Sequence, residues 1–293
     1  MTGPLLAQTL LNALVSSATI ILISLGLSLI YGIMHIMNFM HGELYMLGAF
    51  GIWGFFGQTK IVEGVPGFFL AMLLTMALIA ILGMIIERIL LKRFRGDLLS
   101  SFIVCLGLIL IMQTAAMLIF GKDDKGVRTP FPGLLQGPGF VFSNERLVVM
   151  ITAAVLIGLV FLFIQRFKAG RAMRAVAQDS DAAQLQGISI DSVSTLCMGI
   201  GCALAAAAGV LLGPVFYINP FIGADVLIKA FVVIILGGMG SVGGTMLGGL
   251  VVGFVDSFGG TFLSGEFASM ILFGLLIVVL IIRPTGLFGV YYK

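Results

Sequence analysis

Long apolar runs, separated by short polar or glycine-rich breaks, set the rhythm of this chain. They predict membrane segments at 5–33, 42–57, 67–91, 98–120, 146–165, 190–213, 226–237, 243–260 and 267–283. An apolar helix needs about 20 residues to cross a hydrocarbon core of roughly 30 Å, and two of these segments are too short to cross comfortably as straight helices. Segment 42–57 follows the polar stretch His35-Ile-Met-Asn38-Phe-Met-His41-Gly42-Glu43, and 226–237 runs into Gly237-Gly238-Met239-Gly240-Ser241-Val242-Gly243-Gly244. Non-helical backbone at membrane depth survives only where protein or a water-filled cavity satisfies its polar groups. Paired broken segments in the two halves of a chain point to a transport site. A short echo, GELYMLGAF against GGTMLGGLV, is compatible with an internal repeat. The expected fold is all-α: a polytopic transmembrane bundle of about eight or nine segments with broken, short helices, one transmembrane domain over 1–293.

Composition sharpens this picture. Of 293 residues, 60% are hydrophobic and 10% charged, with a mean hydropathy of +1.19; soluble domains carry about 25% charged residues. The N-terminus has no basic leader and no clear small-residue cleavage site, so the first run is expected to be a retained span rather than a removable signal. Glycine is abundant at 40 residues and proline scarce at 8, which points to helices packed backbone to backbone. Cys105, Cys197 and Cys202 lie in apolar segments at spacings that fit neither a metal cluster nor a disulfide framework, and read as small buried side chains.

Charge fixes an expected topology. The loop 87–97 (ERILLKRFRGD) and the segment 166–174 (RFKAGRAMR) each carry four Lys or Arg, and by the positive-inside rule both face the cytoplasm. The intervening 121–145 then falls outside as an extracytoplasmic loop, and the N-terminus is outside too. Reading 226–260 as two pieces broken at GGMGSVGG places Arg283 and Lys293 inside; a single crossing there would place them outside. The first reading is preferred.

Glu43 and Asp256 are the acids expected within spans, where an ionisable group is costly and functional by default. Glu43 has Asn38 and His41 beside it, although it could instead sit at an interface in the first turn of a helix. Asp256 is better suited to interface placement or helix–helix hydrogen bonding. Gly240, Gly244 and Gly248 recur every four residues, followed by Gly249 and Gly253, and suggest a bare strip for a neighbouring helix. Alternatively Gly237, Gly238, Gly240 and Ser241 expose backbone groups to a passing zwitterion. Asn38, His41, Glu43, Gly237, Gly238, Gly240 and Ser241 are therefore the candidates for a translocation path. Asp225 and Lys229, four apart, suit a helical ion pair.

The basic interruption 166–190 reads as one or two short helices along the membrane surface. Asp179 or Ser180 starts the second, Gly187 stops it, and Asp191 and Ser192 cap the next span. Arg166, Lys168, Arg171 and Arg174 would anchor it to headgroups, while Met173, Val176 and Leu185 would offer an apolar surface. From charge and spacing alone, an interfacial loop without a partner remains open.

The segments GLSLIYGIMHIMNFMHGELYMLGAF, GRAMRAVAQDSDAAQLQGI and AFVVIILGGMGSVGGTMLGGLVVG, spread between about Gly26 and Gly286, resemble LivH-type permeases, the membrane subunits of bacterial ABC importers for branched-chain amino acids. The resemblance implies a bacterial inner-membrane location and a partner set: a second, LivM-like permease, two cytoplasmic ATPase subunits and a periplasmic substrate-binding protein. It implies that Gly170, Arg171, Arg174, Ala177, Asp179, Ala182, Leu185 and Gly187 belong to the segment that docks on the ATPase. The chain has no G-x-x-x-x-G-K-[ST] loop, so ATP and Mg are expected on partner subunits and no cofactor on this chain. No metal site, nucleophile–base pair or nucleic-acid surface is expected either. Related permeases carry urea and other small solutes, and a self-sufficient secondary transporter or channel is the rival from another class.

Overall fold

Two helices form the axis of the bundle, and small residues put them there. The computed structural model describes residues 3–58, 64–137 and 140–288; Lys293, part of the charge reading at the C-terminus, lies outside them. Helix α1 (Gly3–Met34) has 32 residues, about 48 Å of helix; it is exposed near its start, at Leu5, Leu6, Leu10 and Leu14, but mostly buried from Val15 onward, as is most of α8 (Ile190–Leu212). Backbones meet closely where side chains are minimal. Gly26 of α1 faces Gly201 of α8, and Gly48 of α2 (His41–Ile52) lies on Ala206. Gly83 of α3 (Gly64–Ile89) packs on Cys202. By contrast α3, α4 (Leu98–Phe120), α5 (Asn144–Arg166) and α11 (Gly265–Ile282) show rows of large aliphatic side chains on the outer face, the pattern of helices that border lipid.

Both predicted breaks are present. At the first, α1 ends in His35, whose φ of 52° and N–H donation to Tyr31 O (2.9 Å) form a left-handed cap, a conformation that costs a non-glycine residue energy. The chain returns through 35–40, and α2 starts with His41 against Ile23, well inside the length of α1. Past Ile52 it continues as a π-helical turn, Trp53–Gln58. At the second break, α9 (Ile222–Gly237) stops at Gly238 (φ 99°), Gly240 (φ 82°) completes the turn, and the Ser241 hydroxyl accepts from Gly244 N to open α10 (Val242–Phe262). Among the described residues seven helices are long and apolar enough to span; with the short α2 and α9 they make nine membrane segments.

The glycine strip divides between two neighbours. Gly244 and Gly248 face α9, at Gly237 and Val233, whereas Gly249 and Gly253 face Ile21 and Ser17 of α1. Gly240 sits before the helix, against Gly32. The step from Gly248 to Gly249 turns the helix by about 100°, so the expected single face is really two.

Polar contacts sort the loops into two ends. At one, Lys92 and Arg95 bind Asp191 at 2.5 and 2.7 Å, joining the loop after α3 to the start of α8. At the other, Lys125 and Ile218 exchange backbone hydrogen bonds of 2.8 Å, and Arg146 donates to Asn12 at 2.6 Å. The start of α1 thus lies with 121–145, opposite the basic loops. Within 121–145 the chain forms a two-stranded hairpin, β1 (Leu134–Gly137) with β2 (Phe140–Ser143), a small addition to the all-α expectation.

Candidate functional site

At the basic end, α6 (Lys168–Gln178) and α7 (Ser180–Leu185) form the interruption. Asp179 caps α7 by accepting from Asp181 N and Ala182 N at 3.0 and 2.9 Å, and Gly187 (φ 82°) ends it. The next span is capped by Ser189, which accepts from Ser192 N, rather than by Asp191 or Ser192. Gly170 is buried directly on the Phe163 and Ile164 backbone. Met173 and Val176 face the bundle and are buried, so they offer no outer surface; Leu185 does, at 87% exposed. Arg171 and Asp179 are exposed, Ala177 half-buried and Ala182 exposed. Arg174 turns back to donate to the backbone oxygen of Ile164, a free carbonyl at the end of α5, and to the Gln165 side-chain Oε1.

Asn38, His41 and Glu43 are all buried but engage different helices. Asn38 lies 3.9 Å from the sulfurs of Met198 and Cys105, on α8 and α4. The His41 Nε2 lies 3.2 Å from Ile23 O of α1. Glu43 accepts from Gln113 of α4 at 2.9 Å, and its second oxygen has no partner among the described residues. Glu43 occupies the first turn of α2 without capping it. At the other break, Gly237 O and Leu236 O accept from Phe288 N and Leu287 N at 3.1 and 2.9 Å, so the C-terminal segment satisfies them. Gly238 O accepts from Ser241 N (3.1 Å), which closes the turn.

A third group was not singled out as a site. Between α1, α2, α9, α10 and the 213–221 loop lies a cavity of about 530 Å³, within the usual range for small-molecule sites. Its α1 wall carries Asn12, Ser16 and Thr19, which with Gln8 are spaced four, four and three apart, a polar stripe of helical period. That spacing was visible in the sequence within a mostly apolar run that also holds Thr9 and Ser17. Across from it, Lys229 of α9 binds Asp256 of α10 at 2.7 Å. Lys229 therefore does not pair with Asp225, one turn away on its own helix, and Asp256 makes the helix–helix bond expected of it. Arg146 and Asp225 also line the cavity. The rest of its wall mixes apolar side chains, Val15, Ile20, Leu212 and Ile222 among them, with Tyr45, Tyr217, Ser257 and Thr261.

A family model described as branched-chain amino acid transport system / permease component matches residues 9–280. The chain is 37% identical to the high-affinity branched-chain amino acid transport system permease protein BraD of Pseudomonas aeruginosa, covering 96% of this chain and 95% of that one. It is 35% identical to the LivH permease protein of the corresponding system in Escherichia coli, with the same coverage. To the LivM permease protein of Salmonella typhimurium it is 27% identical, over 91% of this chain and 67% of that one. Among solved structures, PsaBC from Streptococcus pneumoniae in complex with Fab matches with a TM-score of 0.51 at 12% identity, covering 96% of this chain and 94% of that one, a likeness of fold.

Proposed function

The chain belongs to the family of permease components of branched-chain amino acid transport systems, and from that membership we propose how it works: as one half of a permease pair driven by separate ATPases. It is a multi-pass membrane protein and a transport permease subunit for branched-chain amino acids. The observation that carries the reading is similarity at 35–37% identity across 96% of the chain. The fainter likeness to LivM supports a related second permease as the partner, with the translocation path between the two. A periplasmic binding protein would dock at the end formed by 121–145 and 213–221, the N-terminus lying on that side and Arg283 on the cytoplasmic side.

The α6–α7 segment suits an ATPase groove because it combines a firm base with a bare tip. Met173 and Val176 root it in the bundle, so that a push on it is passed on to α5 and α8. Leu185 is a large apolar side chain standing free, the kind of anchor that fills a partner's pocket. ATP-driven movement of the ATPases would tilt α5 and α8 and switch the path between outward-open and inward-open states.

Arg174 holds the end of α5, so replacing it would test folding as well as docking; Leu185 is the cleaner choice. Leu185→Asp in the intact complex is expected to lower ATP-driven leucine uptake into proteoliposomes by about tenfold, as loss of a central apolar anchor does, and to weaken ATPase co-purification. Normal uptake would sink the coupling assignment. Leucine flux through this chain alone, driven by a gradient, would favour a self-sufficient transporter, and urea uptake in place of leucine would change the substrate.

A further inference from the structure

The cavity near the 121–145 end pairs opposite charges with apolar walls inside a membrane domain. Lys229 and Asp256 are bonded to each other at 2.7 Å but are not sealed in: their side chains are 32% and 23% exposed. Asp225 lies one turn from Lys229 on the same lining and makes no hydrogen bond or ion pair with a described residue. Ionisable groups at such a place are costly unless paired, and where they occur they mark the route of a polar solute. A pair open to water can exchange partners, whereas a sealed one cannot do so without losing its compensation.

We propose that this cavity receives the zwitterionic head of a free α-amino acid, with Lys229 taking the carboxylate and Asp256, supported by Asp225, taking the ammonium group. The inference rests on the permease reading above and names a resting point for its substrate. The incoming zwitterion replaces one ion pair by two, so neither Lys229 nor Asp256 is left without a partner. Val15, Ile20 and Ile222 border the same space and accept the aliphatic side chain, whose burial rewards binding by area. An uncharged solute such as urea offers neither charge. It would leave the Lys229–Asp256 bond in place and the apolar wall uncovered.

The test uses the intact complex with its partner subunits, because the path is shared with them. The variant Lys229→Met with Asp256→Leu removes both charges without orphaning either. It is expected to co-purify with its partners yet to import leucine at about a tenth of the wild-type rate or less, the scale of a lost charge-assisted contact. A double variant importing within about twofold of wild type would overturn the proposal and leave the pair as a structural bridge. Saturation-transfer NMR on the wild-type complex without binding protein supplies an arm independent of folding. Leucine is expected to show transfer, and leucinamide, 4-methyl-2-oxopentanoate and urea much less; equal transfer from leucinamide, or none from leucine, overturns it. Should the wild-type complex fail to import leucine at all, the functional reading fails. Should wild type and double variant import equally, only this inference fails.

Discussion

Glycine is where a single residue decides most in this bundle, and its forty positions are not equivalent. A Cβ at Gly209 would fall on the Tyr45 carbonyl and against Ala49 N, both backbone atoms of α2 that cannot swing aside. A Cβ at Gly107, on the outer face of α4, would meet nothing within 4 Å. Gly209→Ala is therefore expected to cost about 1–3 kcal/mol by forcing α2 and α8 apart, while Gly107→Ala gains a few tenths to about 1 kcal/mol through helix propensity. Thermal unfolding of the purified complex checks the order; a Gly209→Ala protein as stable as Gly107→Ala would contradict the close approach. The abundance of glycine, and its meaning, were legible in the sequence. The partner of each glycine was not, because spacing of four gives a face but not a neighbour. Only the one-residue step from Gly248 to Gly249 hinted that α10 serves two helices.

Among elements, the junction of α3, α4 and α8 shows how charge patterning succeeds and where it stops. The positive-inside reading paired the loop after α3 with the interruption before α8, and Asp191 ties the two through Lys92 and Arg95. It counted Glu87 with the basic loop 87–97, although the predicted segment 67–91 also covered it; α3 runs on to Ile89 and the Glu87 side chain is fully buried, held by Arg95 and by the Thr195 hydroxyl at 2.6 Å. Hydropathy windows cannot find such a site, since its compensating charge comes from eight residues along the chain and its hydroxyl from another helix. The two acids should differ sharply on substitution. Glu87→Ala leaves Arg95 without its buried partner and is expected to cost about 3 kcal/mol or more. Asp191→Asn weakens contacts to Lys92 and Arg95 made by a carboxylate that is itself about half exposed, and is expected to cost less than about 1 kcal/mol. Chemical denaturation of the solubilised complex separates them, and similar losses would show that the Glu87 pair is not insulated from water. The Lys229–Asp256 bond carries the same lesson, because the i,i+4 rule that suggested Asp225 weighs only neighbours on one helix.

For the whole molecule, the two broken helices turn an odd tally of hydrophobic segments into a consistent path. The descent of α1 and return of α2 at the first break, then of α9 and α10 at the second, leave the start of α1 beside 121–145 and the end of α11 at the basic end. The breaks were legible because polar and glycine residues interrupt apolar runs; the hairpin β1–β2 was not, since a short strand pair on a loop has too few residues to impose a period. The arrangement of ends makes a prediction about sides of the membrane that needs no transport assay. Cys105, Cys197 and Cys202 are all buried, so the chain has a low background for thiol labelling from water. Lys122→Cys, in the loop after α4, is expected to react with a membrane-impermeant maleimide on intact spheroplasts. Leu185→Cys, at the exposed tip of α7, is expected to react only after the membrane is opened, because by the positive-inside rule the four Lys and Arg between Arg166 and Arg174 would hold that end on the cytoplasmic side. Protection of Leu185→Cys in opened membranes by added ATPase subunits would further identify what covers it. Labelling of Leu185→Cys from outside would invert the bundle, moving the 530 Å³ cavity to the cytoplasmic face and turning it from a point of entry into a point of release.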